Sequence, residues 1–369
     1  MNKLQTFYWN GKILSLDDHP ESLPMVLNDI QSGRVNWDLF FRLCDSQLML
    51  PAIYLKFARN GLLSYIPEDL GDHLARIYKL NKERNEKILE QIASINTLLN
   101  HHGISPIYLK GAGHLLDNVY DDAGERFMFD IDFIVAGELY LFTAGLLEKD
   151  GYVPQNPYNP DNRFITHHYP RLIKPHAIAG IEIHWMPAIV QFTRYFHFDL
   201  INPEKRTPDT SMKGCYVLSY RHKIILNMIH QQLNDRGFLY AKGNLRQMND
   251  LVLLSRKADP LKILEEFGYF RREAKAYLRL TNRVFGTPKK LNWHYNFATA
   301  FFIFRHDMNL RSSRWYHASQ IILSLYDDPA TRKAYRRRIM RAFRDKTFRR
   351  ERLRRLFEGT LYSGGVRER

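Results

Sequence analysis

The strongest periodic signal in the chain is the apolar series Leu70, Leu74, Ile77, Leu80, Ile88, Ile92, Ile95 and Leu99. Its three- and four-residue spacing predicts one long helix, opened by Pro67-Glu68-Asp69 and running to about His102, with a charged opposite face. Upstream, Leu39, Phe40, Leu43, Leu48 and Leu50 fall at mostly helical spacings from Trp37 onward, and Pro51 sits where a second helix can start at its permitted first turn. The first residues read differently. Phe7-Tyr8-Trp9 and Lys12-Ile13-Leu14 flank Asn10-Gly11, the two-residue signal of a hairpin, before a further helical segment. Residues 1–100 are thus expected to form a helical N-terminal region, apart from that hairpin.

After residue 100 the period shortens. Ile107-Tyr108-Leu109 is a short β-branched and aromatic run, interrupted by Lys110-Gly111-Ala112-Gly113 and followed by a helix-like segment, His114 to Tyr120. Beyond an acidic turn and Arg126, Phe127 to Val135 alternates as a strand. Asp130, Asp132 and Ile134 share one face, while Phe129, Ile131, Phe133 and Val135 share the other. Gly137 to Lys149 reads as a helix, and Val153 to Asn162, rich in Pro and Asn, as an irregular loop. Two more strands are expected at Phe164 to Leu172 and Gly180 to Trp185, with a turn at Pro175-His176-Ala177. Helical spacing returns at Ser219 to Arg236 and persists through Phe- and Tyr-rich segments to about residue 330. The pattern is that of an α+β protein. A small mixed sheet with flanking helices (101–205) lies between helical regions at 1–100 and 206–330, and a tail follows at 331–369.

Composition narrows the class. With 369 residues and 45% hydrophobic side chains, the chain can bury substantial cores. Cys44 and Cys215 form no Cys-x-x-Cys motif, so neither a disulfide framework nor a zinc knuckle is indicated. No apolar run is long enough to span a membrane, and the N-terminus lacks the apolar core of a signal peptide, so a cytoplasmic protein is expected. The net charge of +15 is localised: Thr331 to Arg369 holds 15 Lys and Arg against four acids and carries +11 of it. Basicity therefore describes the tail rather than the sheet.

The candidate chemistry lies in the sheet. Two carboxylates at i and i+2 on one strand face, backed by bulky apolar residues, are costly to bury without a cation. Such oxygen pairs suit Mg²⁺, which completes its shell with substrate phosphates. The same pair on a solvated edge strand would need no metal. Lys110 and Gly111, just upstream, offer a cation and backbone N–H groups, the equipment of a phosphate cradle. In Gly180 to Trp185, Glu182 and His184 share a face, adding a third carboxylate and an imidazole; a solvated Glu-x-His pair is the alternative. His230 and Asp250 fall on core-like helices, where such groups usually pair locally.

Leu109-Lys110-Gly111, then Arg126 ahead of Asp130-Ile131-Asp132-Phe133-Ile134-Val135, then Glu182-Ile183-His184-Trp185 resembles the DNA-polymerase-β-like nucleotidyltransferase superfamily. The match is specifically to its bacterial branch of largely uncharacterised nucleotidyltransferases. Trp37-Asp38-Leu39, His230 and the segment Arg246 to Leu254 extend the resemblance, which covers about residues 30 to 270. The chain departs from the wider signature by carrying Gly111-Ala112 where a Gly-Ser pair is usual, and Lys110 is the substitute for the missing hydroxyl.

The resemblance implies a nucleotidyltransferase palm at 101–205 and transfer of NMP from an NTP, ATP first, to a hydroxyl acceptor with release of pyrophosphate. It implies two Mg²⁺ ions held by Asp130, Asp132 and Glu182, with the carboxylates as the catalytic groups. Two metals about 3.5–4 Å apart can clamp the attacking and leaving oxygens of an in-line displacement. Lys110, Gly111, Arg126 and His184 would contact the nucleotide. The acceptor could be a small molecule, a sugar or a protein. A catalytically silent nucleotide- or metal-binding scaffold remains an alternative, as does an RNA-directed enzyme using the basic tail. In that tail Ile339, Phe343, Leu353 and Phe357 make an amphipathic helix plausible. Docking on the protein itself, contact with nucleic acid and contact with an anionic membrane are its three readings, the first being favoured.

Overall fold

Asn2 caps the first helix: its side chain accepts from the Gln5 N–H while the Gln5 side chain accepts from the Asn2 N–H, a complete capping box. Helix α1 (Lys3–Leu14) therefore runs through the Asn10-Gly11 pair, where a hairpin was expected. The reason lies in tertiary packing. Asn10 is buried and donates to Cys44 Sγ at 3.1 Å, and a Cβ on Gly11 would stand 2.4 Å from the Val284 carbonyl oxygen. A turn dipeptide has become a helix-contact dipeptide.

The structure is a computed structural model describing residues 1–160, 166–208, 212–286 and 296–327. Four more helices complete the N-terminal part: α2 (Leu23–Gln31), α3 (Trp37–Ser46), α4 (Leu50–Arg59) and α5 (Glu68–His101). Helix α5 matches the apolar stripe except at its middle. Leu80 is exposed, and the buried positions between Leu74 and Ile88 are Asn81 and Asn85. Those two asparagines are spent on the loop before the central strand. Asn81 Nδ2 donates to the Gly124 carbonyl at 2.7 Å, and Asn85 Nδ2 to that of Arg126 at 2.8 Å.

Next come β1 (Ile107–Tyr108), α6 (Lys110–Leu116), β2 (Asp130–Ile134), α7 (Tyr140–Lys149), β3 (Val153–Pro154), β4 (Leu172–Ile173) and β5 (Gly180–His184). After α8 (Phe198–Ile201) and β6 (Tyr216–Val217), the chain is helical again: α9 (Tyr220–Met228), a π-helical turn at Ile229–Asn234, α10 (Gly237–Tyr240), α11 (Leu245–Ser255), α12 (Pro260–Phe267), α13 (Arg271–Phe285) and α14 (Phe297–Arg311). Met1–Arg311 is one unit. The chain from Ser312 onward is a second, of which α15 (Ser313–Asp327) is described. The basic tail from residue 331 lies outside the described residues, as does most of the expected strand start at Phe164.

The six strands form one mixed sheet in the order β3-β4-β5-β2-β1-β6. The central pair, β2 and β5, is parallel, with antiparallel neighbours β1 and β4 on either side. Strand β4 is shorter than the run expected from Phe164, and β2 starts at Asp130 rather than Phe127. Lys110 to Gly113, read as an interruption, form the first turn of α6.

The alternation predicted for β2 sets the two faces of the sheet. Ile131, Phe133 and Val135, with Ile181 and Ile183 of β5, pack into one core with Ile88, Ile92, Ile95 and Leu99 of α5. Ile107, Leu109, Ile134 and Leu218 belong to a second core shared with the N-terminal helices and α9–α14. A one-residue slip of β2 would turn Ile131, Phe133 and Val135 out of their core, at a cost of about 5–9 kcal/mol. The register is therefore fixed, and with it the direction of Asp130 and Asp132. Phe129, expected beside those apolar residues, precedes the strand and is half exposed. Among the described residues no helix is long and apolar enough to cross a membrane.

Candidate active site

The parallel register of β2 and β5 sets Asp132 opposite Glu182. His184, two residues further along β5, shares that face, and its Nε2 lies 2.9 Å from Asp132 Oδ1. One ligand atom from each of Asp132, Glu182 and His184 lies within 4.8 Å of the other two. Strand β1 brings in the counter-charge. The Leu109 N–H donates to the Asp132 carbonyl at 2.9 Å, and Lys110 follows at once, its Nζ 2.6 Å from Asp132 Oδ1 and 4.0 Å from Glu182 Oε2. Lys110 adopts φ 44°, a left-handed conformation that costs a non-glycine residue roughly 1–3 kcal/mol and persists only where the surroundings hold it.

Asp130 lies on the same side of β2 but is engaged differently. Its register partner is Gly180, and Arg171 lies across the space a side chain there would fill, donating from Nε to Asp130. The converging donor set is therefore Asp132, Glu182 and His184, whereas the sequence pointed to Asp130, Asp132 and Glu182. His184, expected at the nucleotide, is fully buried and committed to Asp132.

Burial would raise Asp132, but the Lys110 charge and the His184 hydrogen bond outweigh it and hold the carboxyl far below its usual range. Burial, then the Asp132 charge, push Glu182 the other way, up to about 8. Asp130 is also raised, by burial first and by Asp132, against the pull of Arg171. Burial and the nearby Lys110 charge draw His184 down to about 4. The neutral ring must then carry its proton on Nε2, since ionised Asp132 can only accept, and the buried Nδ1 has no hydrogen-bond partner.

The raised Glu182 has a measurable consequence. A carboxyl whose folded pKa exceeds its unfolded value stabilises most at low pH, and that stabilisation is lost as pH rises through the folded pKa. In chelator-treated protein the melting temperature should fall as pH rises from the ordinary carboxylate range to about 8. Glu182→Gln should flatten that fall. An unchanged slope in the variant would show that Glu182 ionises normally.

These groups open into a cavity of about 180 Å³ between the sheet face and helices α9 and α11. Its far wall holds Arg126, whose Nε and Nη2 donate to the two oxygens of Asp250 at 2.9 and 2.8 Å. Asp250 also accepts from Tyr120 and lies 3.6 Å from His114 Nδ1. Burial opposes the Asp250 charge, yet Arg126 and His114 hold its carboxyl far below the usual range. Gly111 makes room for this arrangement, because a Cβ there would stand 2.4 Å from Arg126 Nη1 and 2.7 Å from Met128 Sδ. Lys110, Gly111 and Arg126, expected at the nucleotide, therefore line one cavity with Asp130, Asp132 and Glu182.

Several residues in and beside the cavity were not anticipated. Arg171 joins Asp130 across 41 residues and carries no local signal. Lys223 is buried on α9, donating to the Gly113 carbonyl at 3.0 Å and to Asp117 at 2.6 Å, and burial draws it down to about 8. A lysine just before the apolar run Ile224-Ile225-Leu226 was the available clue. His230, read as locally paired, pairs with Gln247 and Asp235, whereas Asp250 pairs across 124 residues with Arg126; both also line the cavity.

The donor chemistry fits a divalent cation. The Asp132 and Glu182 carboxylates converge, and burial, then the Asp132 charge, disfavour the ionised Glu182 that a cation would stabilise. Carboxylate oxygens of this kind suit hard divalent ions.

No curated protein and no solved structure matches the chain. A protein-family model described as "Uncharacterised nucleotidyltransferase" matches residues 33–286, which hold the whole sheet, the acidic cluster and helices α9, α11 and α13. On that match, over more than half its length, the chain belongs to this nucleotidyltransferase family.

Proposed function

We propose that the protein transfers NMP from an NTP, ATP first, to a hydroxyl of an acceptor and releases pyrophosphate in a Mg²⁺-dependent reaction. The observation that carries this reading is the meeting of Asp132 and Glu182 with Lys110 in one cavity, with His184 buried behind Asp132, in a chain from this family. Asp132 and Glu182, with Asp130 beside them, would hold the cation. When bound, it supplies Lewis-acid polarisation of phosphate oxygens and lowers the pKa of an attacking hydroxyl.

The chain's own groups account for the rest. The acceptor oxygen forms a bond to the α-phosphorus, the bond from that phosphorus to the β-bridging oxygen breaks, and its electron pair leaves with pyrophosphate. Glu182, whose proton affinity burial and Asp132 raise, would take the hydroxyl proton when ionised. Lys110 needs only to exchange one anionic oxygen for another to pass from Asp132 to the α-phosphate. His184 fixes the Asp132 carboxylate from below, and Arg171 fixes Asp130 from the side. Arg126, oriented by Asp250, keeps Nη1 turned towards Gly111 and the cavity.

Incubating the protein with Mg²⁺, mixed NTPs and a cell lysate should release pyrophosphate above the level of a boiled control. Nucleotide binding without pyrophosphate release across such acceptors would favour the silent scaffold.

A further inference from the structure

Arg246 is the second residue of α11 and lines the cavity, one helical turn before Asp250. Residues at i and i+4 on a helix are neighbours, so an arginine and an aspartate in that relation ordinarily pair. Here they do not. Both Asp250 oxygens are taken by Arg126. Arg246 donates from Nη1 to the Phe127 carbonyl at 3.3 Å, its buried Nε has no hydrogen-bond partner, and it makes no ion pair with any described residue. Burial and the neighbouring Arg126 both disfavour its charge. Two guanidinium groups thus stand near one carboxylate that only Arg126 pairs with, and a buried Arg246 donor is left unused, a costly arrangement unless a ligand completes it.

The position of this surplus charge is informative. Lys110 touches Asp132, Arg126 lies against Gly111 beside Lys110, and Arg126 and Arg246 both donate from Nη1 to the Phe127 carbonyl, at 3.5 and 3.3 Å. The three cations are linked one to the next by these contacts, a row that lines the cavity. A triphosphate whose α-phosphate sits at the acids would lay its β- and γ-phosphates along that row. Resting on the nucleotidyl-transfer reading, we propose that Arg246 binds the terminal phosphates of the donor nucleotide, the part that departs as pyrophosphate, and so selects triphosphates over mono- and diphosphates.

The test is direct binding of inorganic pyrophosphate, ATP, ADP and AMP to the full-length protein by calorimetry, comparing wild type with Arg246→Met and Arg246→Lys. Loss of a charge-assisted donor should weaken pyrophosphate and ATP by roughly tenfold or more. AMP affinity should stay within about twofold, and Arg246→Lys should keep part of the preference. Equal pyrophosphate affinity in wild type and Arg246→Met, with matching melting temperatures, would overturn the proposal. So would a loss spread evenly over ATP, ADP and AMP, which would mark Arg246 as a structural support for Phe127. If Arg246→Met fails to fold, Arg246→Lys decides: a retained fold with pyrophosphate and AMP affinities both unchanged overturns the assignment. Arg246-dependent pyrophosphate binding in a protein that releases none from NTPs would sustain this inference and remove the transfer reading. Transfer activity with pyrophosphate binding indifferent to Arg246 would do the reverse.

Discussion

Asp132→Asn is expected to lower nucleotidyl transfer by a factor on the order of 10³ or more, about 4 kcal/mol of transition-state stabilisation, while the protein stays folded. Asp132 is hydrogen-bonded to both Lys110 and His184, and it stands opposite Glu182 in the register. Its replacement removes the ionised member of the cluster. The fold should survive for two reasons. The introduced amide oxygen can still accept from His184 Nε2. Glu182, 4.0 Å from Lys110, ionises more readily once the Asp132 charge that raises it is gone, and takes over the ammonium. Circular dichroism and a thermal melt within a few degrees of wild type, beside lost activity, would match this account. An unfolded Asp132→Asn would make Asp132 a structural counter-ion for Lys110.

Asp250→Ala should have the largest effect on stability, about 3–5 kcal/mol, because it leaves Arg126 buried without its carboxylate. Tyr120 and His114 lose the same partner. Chemical denaturation would read the change directly as a shifted midpoint. The paired replacement Arg126→Met with Asp250→Leu separates stability from function. Removing both charges should recover most of the lost stability, since an apolar pair of similar volume fits a buried site well. Binding of the nucleotide should not recover, because Arg126 no longer reaches the cavity. A single Asp250→Ala variant within 1 kcal/mol of wild type would mean that water already compensates Arg126.

What the sequence disclosed, it disclosed through period. Helix α5 and the strands carrying Asp130, Asp132 and Glu182 were legible because one side of each packs in a core, which forces a repeat of 3.6 or 2. The acidic family motifs fall on those same strands, while Lys110-Gly111 opens α6 and Arg126 precedes β2. Local rules misled where tertiary contacts overrode them. Asn10-Gly11 carries a hairpin signal but buries against Cys44 and Val284, and Leu80 fits the stripe of α5 while Asn81 and Asn85 occupy it. Two asparagines at core-facing positions were the overlooked sign that α5 braces a loop.

The fine structure of the site could not be read from spacing at all. Arg126 meets Asp250 across 124 residues, and Arg171 meets Asp130 across 41. Such pairs follow from the packing of α11 near the sheet and the pairing of β4 with β5, not from any local pattern. The exchange of Asp130 for His184 in the converging donor set has the same origin: Gly180 lets Arg171 reach Asp130, and the register brings His184 to Asp132.

The central claim is that the α-phosphate, not the γ-phosphate, is the group transferred. Parallel incubations with α-³²P- and γ-³²P-labelled ATP, Mg²⁺ and a cell lysate test it directly, with Asp132→Asn as the control. The account predicts acceptor-bound label from the α-labelled nucleotide only, γ-label recovered as pyrophosphate, and neither product with the variant. Acceptor labelling from γ-³²P, or α-labelling that Asp132→Asn leaves intact, would contradict it.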